Sequence, residues 1–442
     1  MSQGVGEARA AVPLDALEEA ALSKVTWRLI PFMMLLYFVA FLDRVNIGFA
    51  ALTMNADLGF SATVFGTGAG IFFLGYMLLE VPSNVALEKY GARRWIARIM
   101  FTWGALSCAM AFVSGPISFY IVRFLLGAAE AGFFPGMILY LTYWFPARRR
   151  GKIVGAFMIA VPLSNVVGAP LSTAILGIEG LGFSGWQWLF LLEGLPAILL
   201  GFVVLGFLTD RPAKAAWLSP EEKALLTKMV ERDAPRDGTG HSHTLKQALL
   251  NPRVWLYGLI YFGMTVGIYG LGFWLPQILN GFGGLTKMEI GLLAAVPYVG
   301  AAAVMFLAGR HSDLVNERIW HIAAPAFLGG LGFLAAAYLD STPLLAFAAI
   351  AVGAAGVYGG IPAFWTLPTA MLTGAAAAGG IALVNAIGNL GGYFGPVIVG
   401  YFKDTDQSYR IGLLTLAGFI AMTGVLVLLS HRRTKAGEVV MR

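Results

Sequence analysis

The sequence predicts an all-α membrane protein of twelve transmembrane helices in two six-helix halves. Three observations predict it. The 442 residues are 58% hydrophobic and only 12% charged, against about 25% charged in a soluble globular chain. About twelve runs approach the ~20 apolar residues that cross ~30 Å of hydrocarbon. Of the 30 lysines and arginines, 25 fall in the N-terminus, after runs 2, 4, 6 and 8, or in the C-terminus. So little charge cannot cover a compact water-facing surface of this size. An ordinary soluble enzyme is excluded, and so is a disordered chain, which would be polar and charged.

The runs lie near 25–50, 64–86, 92–113, 116–141, 151–176, 187–208, 253–279, 287–308, 319–339, 343–367, 378–402 and 408–430. Glycine interrupts the seventh and eleventh, and proline the tenth. The 56 glycines follow no Gly-X-Y period; small residues spread through apolar runs let packed membrane helices approach. Residues 1–24 are polar and read as no cleavable signal. Asp15-Ala16-Leu17-Glu18 predicts a capping box that opens a short amphipathic helix on the membrane surface. The basic bias places both termini in the cytoplasm of a bacterial inner membrane and requires an even number of spans. The formal charge of +6 thus describes loop placement, not a nucleic-acid partner.

The domain organisation is 1–208 as the first half, 209–252 as a cytoplasmic linker and 253–442 as the second half with a tail. Ser219-Pro220-Glu221-Glu222 predicts a helix start in the linker. His241 and His243 stand there without a third ligand, so no metal is expected, and Cys108, the one cysteine, allows no disulfide within the chain. Two six-span halves suggest an internal duplication. Glu88-Lys89-Tyr90-Gly91-Ala92-Arg93-Arg94 after span 2 matches Gly309-Arg310-His311-Ser312-Asp313 and Glu317-Arg318 after span 8. Ser164-Asn165 in span 5 matches Gly388-Asn389 in span 11, and Pro170 and Pro396 follow.

Ionisable residues inside spans are costly and default to functional candidates. Asp43 and Arg44 are adjacent in span 1, ~24 Å of helix beyond Arg28, with Asn46 beside them. Arg123 and Glu130 are seven residues apart, ~700° of rotation, so they project from one face of span 4; Gly127, Gly132 and Gly136 thin that side. The four make a cavity cluster of two positive and two negative groups. An anion entering it adds an unpaired charge in a poorly solvated space. Protonating Asp43 or Glu130 removes the excess and frees an arginine, whose planar fork binds a carboxylate. Proton and organic anion then bind cooperatively.

Glu80, before Pro82-Ser83-Asn84, and Glu193 read as structural or gating contacts. Tyr37, Tyr76, Asn165, Tyr261, Tyr358, Trp365, Asn385 and Asn389 are candidate cavity residues. Glu88, Arg93, Arg94, Asp313 and Arg318 read as gate charges that hold the halves together. Gly66-Thr67-Gly68-Ala69-Gly70 imitates a nucleotide loop, but no strand precedes it and no Gly-Lys-Ser/Thr follows. It reads as a helix-packing face. An ATP-driven pump and an enzyme find no motif, and no cofactor is expected.

Leu42-Asp43-Arg44-Val45-Asn46-Ile47-Gly48-Phe49-Ala50 resembles span 1 of the anion:cation symporters within the major facilitator superfamily. So do Arg123-Phe124-Leu125-Leu126-Gly127-Ala128-Ala129-Glu130-Ala131-Gly132, Gly75-Tyr76 through Glu80-Val81-Pro82-Ser83-Asn84, and Trp144-Phe145-Pro146 to Arg150-Gly151. The resemblance covers nearly the whole chain and is nearest to the tartrate, phthalate and hydroxyphenylacetate carriers of that group. It implies proton-coupled uptake of an organic carboxylate through alternating access; a monomer is expected. Asp43 and Glu130 resemble the family's protonation sites, Arg44 and Arg123 its substrate arginines, and Tyr76 and Asn389 its cavity residues. Glu88-Lys89-Tyr90-Gly91 departs from the usual Gly-x-x-x-Asp loop, so that gate is not carried over in detail. Two other expectations stand beside uptake. Proton-antiport efflux would favour cations or neutral lipophiles, and a membrane anion sensor would signal through 209–252.

Overall fold

A computed structural model describes residues 14–232, 250–339, 341–371 and 375–440. His241 and His243 lie outside the described residues. The helices are α1 (Leu14–Leu58), α2 (Ala62–Tyr90), α3 (Ala92–Ala109), α4 (Pro116–Glu130), α5 (Phe133–Thr142), α6 (Ala147–Met158), α7 (Ala160–Ile175) and α8 (Gly185–Phe207). Then come α9 (Pro220–Arg232), α10 (Pro252–Gly281), α11 (Lys287–Val315), α12 (Trp320–Tyr338), α13 (Pro343–Gly359), α14 (Ile361–Met371), α15 (Ala375–Asp406) and α16 (Arg410–Val440). They make twelve helical spans long and apolar enough to cross a membrane, six before and six after residues 209–252.

The expected surface helix is corrected. Residues from Leu14 onward continue straight into the first span as one 45-residue helix, so Asp15 lies inside it rather than capping a separate element. The linker helix starts as expected. The Glu222 N–H donates to Ser219 Oγ at 3.1 Å, and the Ser219 N–H donates to Glu222 Oε2 at 2.7 Å. Lys24 pairs with Glu222 at 3.0 Å and ties α9 to α1.

The breaks fall elsewhere than glycine content suggests. The seventh and eleventh spans, α10 and α15, run unbroken. Their glycines are spacers: Gly388 packs on the Tyr261 ring, Gly391 on Phe262 O and Gly395 on Val266 O, so α10 and α15 meet almost backbone to backbone. Span 4 breaks instead at Gly132, whose φ of 81° is left-handed and suits glycine. This ends α4 at Glu130. Span 5 divides at Ile159, between α6 and α7, and the tenth at Gly360, before Pro362. In α2, Gly66 and Gly70 meet Pro396 and Tyr393 of α15, which makes the glycine-rich segment a packing face.

The halves close on each other at the end away from α9, here the far end. Asp404 of α15 accepts from the N–H groups of Ala62 (3.0 Å) and Thr63 (2.7 Å) in the first turn of α2. Asn55 donates to Gln277 at 3.4 Å, and Lys287 to the Leu176 carbonyl at 3.4 Å. The expected gate charges sit at the opposite, linker end, and none of the five bridges the halves. Arg318 bonds Asp313 (2.6 Å) and Ser312 (2.8 Å) of its own half. The Arg93 N–H donates to Asp210 at 2.9 Å, while Glu88 and Arg94 line a groove of the first half. With the far end sealed, these groups are turned to their own halves.

Candidate functional site

Between the halves lies a cavity of about 70 Å³, lined by α1, α2 and α5–α7 on one side and by α10, α11 and α13–α15 on the other. Of the residues singled out in the sequence, Tyr37, Arg44, Tyr76, Tyr261, Tyr358, Trp365, Asn385 and Asn389 line it. Its wall carries one cation, Arg44, and no carboxylate.

Arg44 is buried and held on several sides. One terminal nitrogen pairs with Glu130 at the end of α4. The other, Nη1, donates to the Tyr269 hydroxyl of α10 at 3.2 Å, across the interface. Its guanidinium lies over Phe41 (4.9 Å), Tyr76 (5.4 Å) and Phe72 (5.5 Å). Nε, also buried, has no acceptor. The guanidinium is thus a planar cation among aromatic faces with one N–H unmet, a group whose chemistry suits carboxylates.

The four-charge cluster is corrected, because only Arg44 and Glu130 meet. Asp43, one residue before Arg44, is turned from it by ~100° and points into the core of the first half. There it accepts from Trp103 Nε1, Ser107 Oγ and, at 3.0 Å, Asn46 Nδ2. Asn46 is therefore engaged with Asp43 and is not on the cavity wall. Arg123 is fully buried and turns to α2, donating to the carbonyls of Gly68 (3.2 Å) and Ala69 (3.1 Å). It shares a helix face with Glu130, but the close approach of α4 to α2 at Gly127 and Phe72 offers it nearer acceptors. Asn165 spends its amide on the Val161 carbonyl one turn back, at 3.0 Å, and also leaves the wall.

Glu80 and Glu193 are both buried. Glu80 Oε1 accepts from Asn385 Nδ2 at 2.5 Å across the halves, and Glu193 Oε1 accepts from Ser172 Oγ at 2.7 Å. The second oxygen of each has no partner. The wall's aromatic part is packed ring on ring: Tyr37 on Phe157 (4.6 Å), Tyr261 on Phe364 (5.3 Å) and on Trp365 (4.9 Å). Sequence reading missed Tyr269. A signal existed, since Tyr261, Thr265 and Tyr269 repeat every four residues and share one helix face.

A sequence profile described as Major Facilitator Superfamily matches residues 33–396. A protein of Agrobacterium vitis named as a candidate tartrate transporter is 52% identical over 95% of this chain and 93% of its own. A quinolone resistance transporter of Acinetobacter baumannii is 44% identical over 90% and 92%. A crystal structure of a bacterial homologue of the human lysosomal transporter Spinster shares the fold. Its TM-score is 0.73 at 18% identity, over 93% of this chain and 97% of that one.

Proposed function

The chain belongs to the major facilitator superfamily, a multi-pass membrane transporter rather than an enzyme, and we propose that it imports a small organic anion together with protons. The substrate class is a carboxylate such as tartrate, a sugar acid or an aromatic acid, moved by alternating access. One observation carries this reading: the cavity's one cation, Arg44, is neutralised by a single carboxylate, Glu130, and keeps a donor free.

While Glu130 is ionised the pair is neutral, and a carboxylate substrate would bring an unbalanced charge into a low-dielectric space. A proton on Glu130 releases Arg44 to the substrate, so proton and anion each favour the other's binding by the same factor. Asp43, held by three donors and no cation, is the second proposed proton carrier. Asn385, Asn389 and the tyrosines supply further hydrogen bonds. Arg123 keeps its proposed part in coupling only through α2, whose carbonyls it holds. A monomer is the proposed working unit. The positive-inside bias supports an inner-membrane orientation with both termini cytoplasmic. A cavity of about 70 Å³ is far below the ~300–1,000 Å³ of ligand sites, so the halves must part at the linker end before substrate fits.

The test is uptake of labelled tartrate into proteoliposomes under an inward proton gradient. Accumulation that a protonophore abolishes is expected. In Glu130→Gln, tartrate counterflow should persist while gradient-driven accumulation disappears. Uptake by the wild type that ignores both gradient and protonophore overturns the coupling. The resistance transporter of Acinetobacter baumannii favours a second reading, proton-antiport efflux. The same inward gradient would then drive substrate out of preloaded vesicles.

A further inference from the structure

A second cavity, of about 880 Å³, is not between the halves. It lies at the linker end of the first half, where α2 turns into α3 and α8 runs into residues 208–217. Six cations line it: Arg28, Lys89, Arg93, Arg94, Arg211 and Lys214. Two carboxylates accompany them, Glu88 and Asp210. Asp210 is already engaged, since its Oδ1 accepts the Arg93 N–H at 2.9 Å in the first turn of α3. None of the six cations is in an ion pair among the described residues.

Two of the arginines are held by aromatic rings rather than trailing in solvent. The Arg28 guanidinium lies over Phe207 (4.5 Å) and Trp217 (4.9 Å), and Arg211 lies 3.6 Å over the Tyr143 ring. Stacking occupies the faces of a guanidinium and leaves its edge N–H groups for an acceptor. Three donors here are buried without one: Arg28 Nε, Arg93 Nε and Trp217 Nε1. Such a surplus of positive charge and unmet donors calls for an anion with several acceptor oxygens.

We propose that this cavity binds a phosphate group, and specifically the headgroup of an anionic phospholipid. The phosphate offers oxygens to the guanidinium and ammonium groups that line the cavity without an ion-pair partner among the described residues. The lipid source is favoured by what borders the basic lining. Val85, Tyr90 and Leu205, at the adjoining ends of α2 and α8, are 61%, 55% and 38% exposed. Cations beside exposed apolar side chains at a span's end suit an amphiphile better than a soluble ion. The site is separate from the cavity of Arg44 and shares no lining residue with it. It also gives Arg93 and Arg94 a task within their own half.

The test compares the wild type with Arg94→Gln/Lys214→Gln, both exposed positions, and with Arg310→Gln, an exposed cation of the other half. Retention of phosphatidylglycerol is counted by native mass spectrometry, and thermal stabilisation is titrated with phosphatidylglycerol, phosphatidylcholine or inorganic phosphate. The expected result is one fewer retained phosphatidylglycerol and at least tenfold weaker stabilisation in the double variant, with Arg310→Gln like the wild type. Phosphatidylcholine and inorganic phosphate should stabilise all three alike. If inorganic phosphate matches phosphatidylglycerol in the wild type and fails in the double variant, the lipid assignment is overturned in favour of a soluble phosphate. If the double variant retains and responds as the wild type does, the site is overturned.

Discussion

Asn385 donates to Glu80 across the two halves at 2.5 Å, and the other Glu80 oxygen is buried without a partner. This is the polar contact that joins α2 to α15 at the level of the cavity wall. Its asymmetry matters, because a buried acceptor stripped of its donor costs more than the bond itself contributes.

Asn385→Leu should therefore destabilise the protein by about 1–3 kcal/mol, since it strands both oxygens of Glu80. Glu80→Gln keeps an acceptor for Asn385 and removes a carboxyl that burial disfavours, so its melting temperature should equal or exceed that of the wild type. The double variant should recover part of the Asn385→Leu loss, which a double-mutant cycle in detergent measures. A Glu80→Gln loss as large as that of Asn385→Leu would contradict this account.

Arg44 and Arg123 should separate by the measurement used. Arg44→Ala removes a charged donor from the cavity and should weaken tartrate binding by roughly 10–150-fold, the equivalent of about 1.5–3 kcal/mol. Arg44→Lys keeps the charge without the fork and should fall between. Arg123→Gln leaves α2 carbonyls without their cation and should lower the melting temperature, with tartrate affinity within about threefold of wild type. The affinity is read from ligand-dependent thermal shifts. Normal stability with lost affinity in Arg123→Gln would return that residue to the substrate.

Span count and the identity of the buried charges were legible in the sequence, because both follow from length, apolar share and the cost of charge in hydrocarbon. Side-chain direction was not. Asp43 and Arg44 are neighbours in sequence, yet ~100° per residue sends one to Trp103 and Ser107 and the other to Tyr269. Arg123 and Glu130 share a face, but Arg123 finds its acceptors on α2 before it reaches the cavity. Breaks were misplaced for a related reason. A glycine in a membrane helix serves close packing as readily as bending, and only the partner helix shows which. Gly391 against Phe262 is a spacer, while Gly132, at φ 81°, is a break.

The linker helix should respond to acid. Partial burial raises the Glu222 pKa, but the Ser219 N–H and Lys24 outweigh it and hold the carboxyl below its ordinary value. A folded pKa below the unfolded one stabilises the docked state above the unfolded value of about 4.3, and the contribution is lost as pH falls through the lower folded value. Spin labels at Ser23 and Lys228, in a Cys108→Ser background, should give a narrow distance distribution at pH 7 and a broad one near pH 3. Lys24→Met should begin to broaden at a higher pH. A distribution unchanged over this range would mean that Glu222 does not hold α9.

The far-end seal depends on Asp404, which accepts two backbone N–H groups, of Ala62 and Thr63, from the other half. It works as an N-cap supplied in trans, a carboxylate at the positive end of α2. Alternating access requires that this contact break, so its strength biases the equilibrium between the two openings. A lost cap costs about 1 kcal/mol, up to about 2, and one or two kcal/mol changes a two-state ratio by roughly 5–30-fold. Asp404→Ala should shift the population by that factor toward far-end opening, and Asp404→Asn, which keeps one acceptor, by less. Labels at Ala56 and Asn280, exposed on the two sides of the far end, read the shift as a longer-distance peak that grows at the expense of the short one. Uptake should fall because reclosure is weakened, while tartrate affinity for the closed-far-end state is unchanged. If Asp404→Ala keeps the wild-type distribution, the cap is dispensable, and closure rests on the glycine contacts of Gly66 and Gly70 with α15.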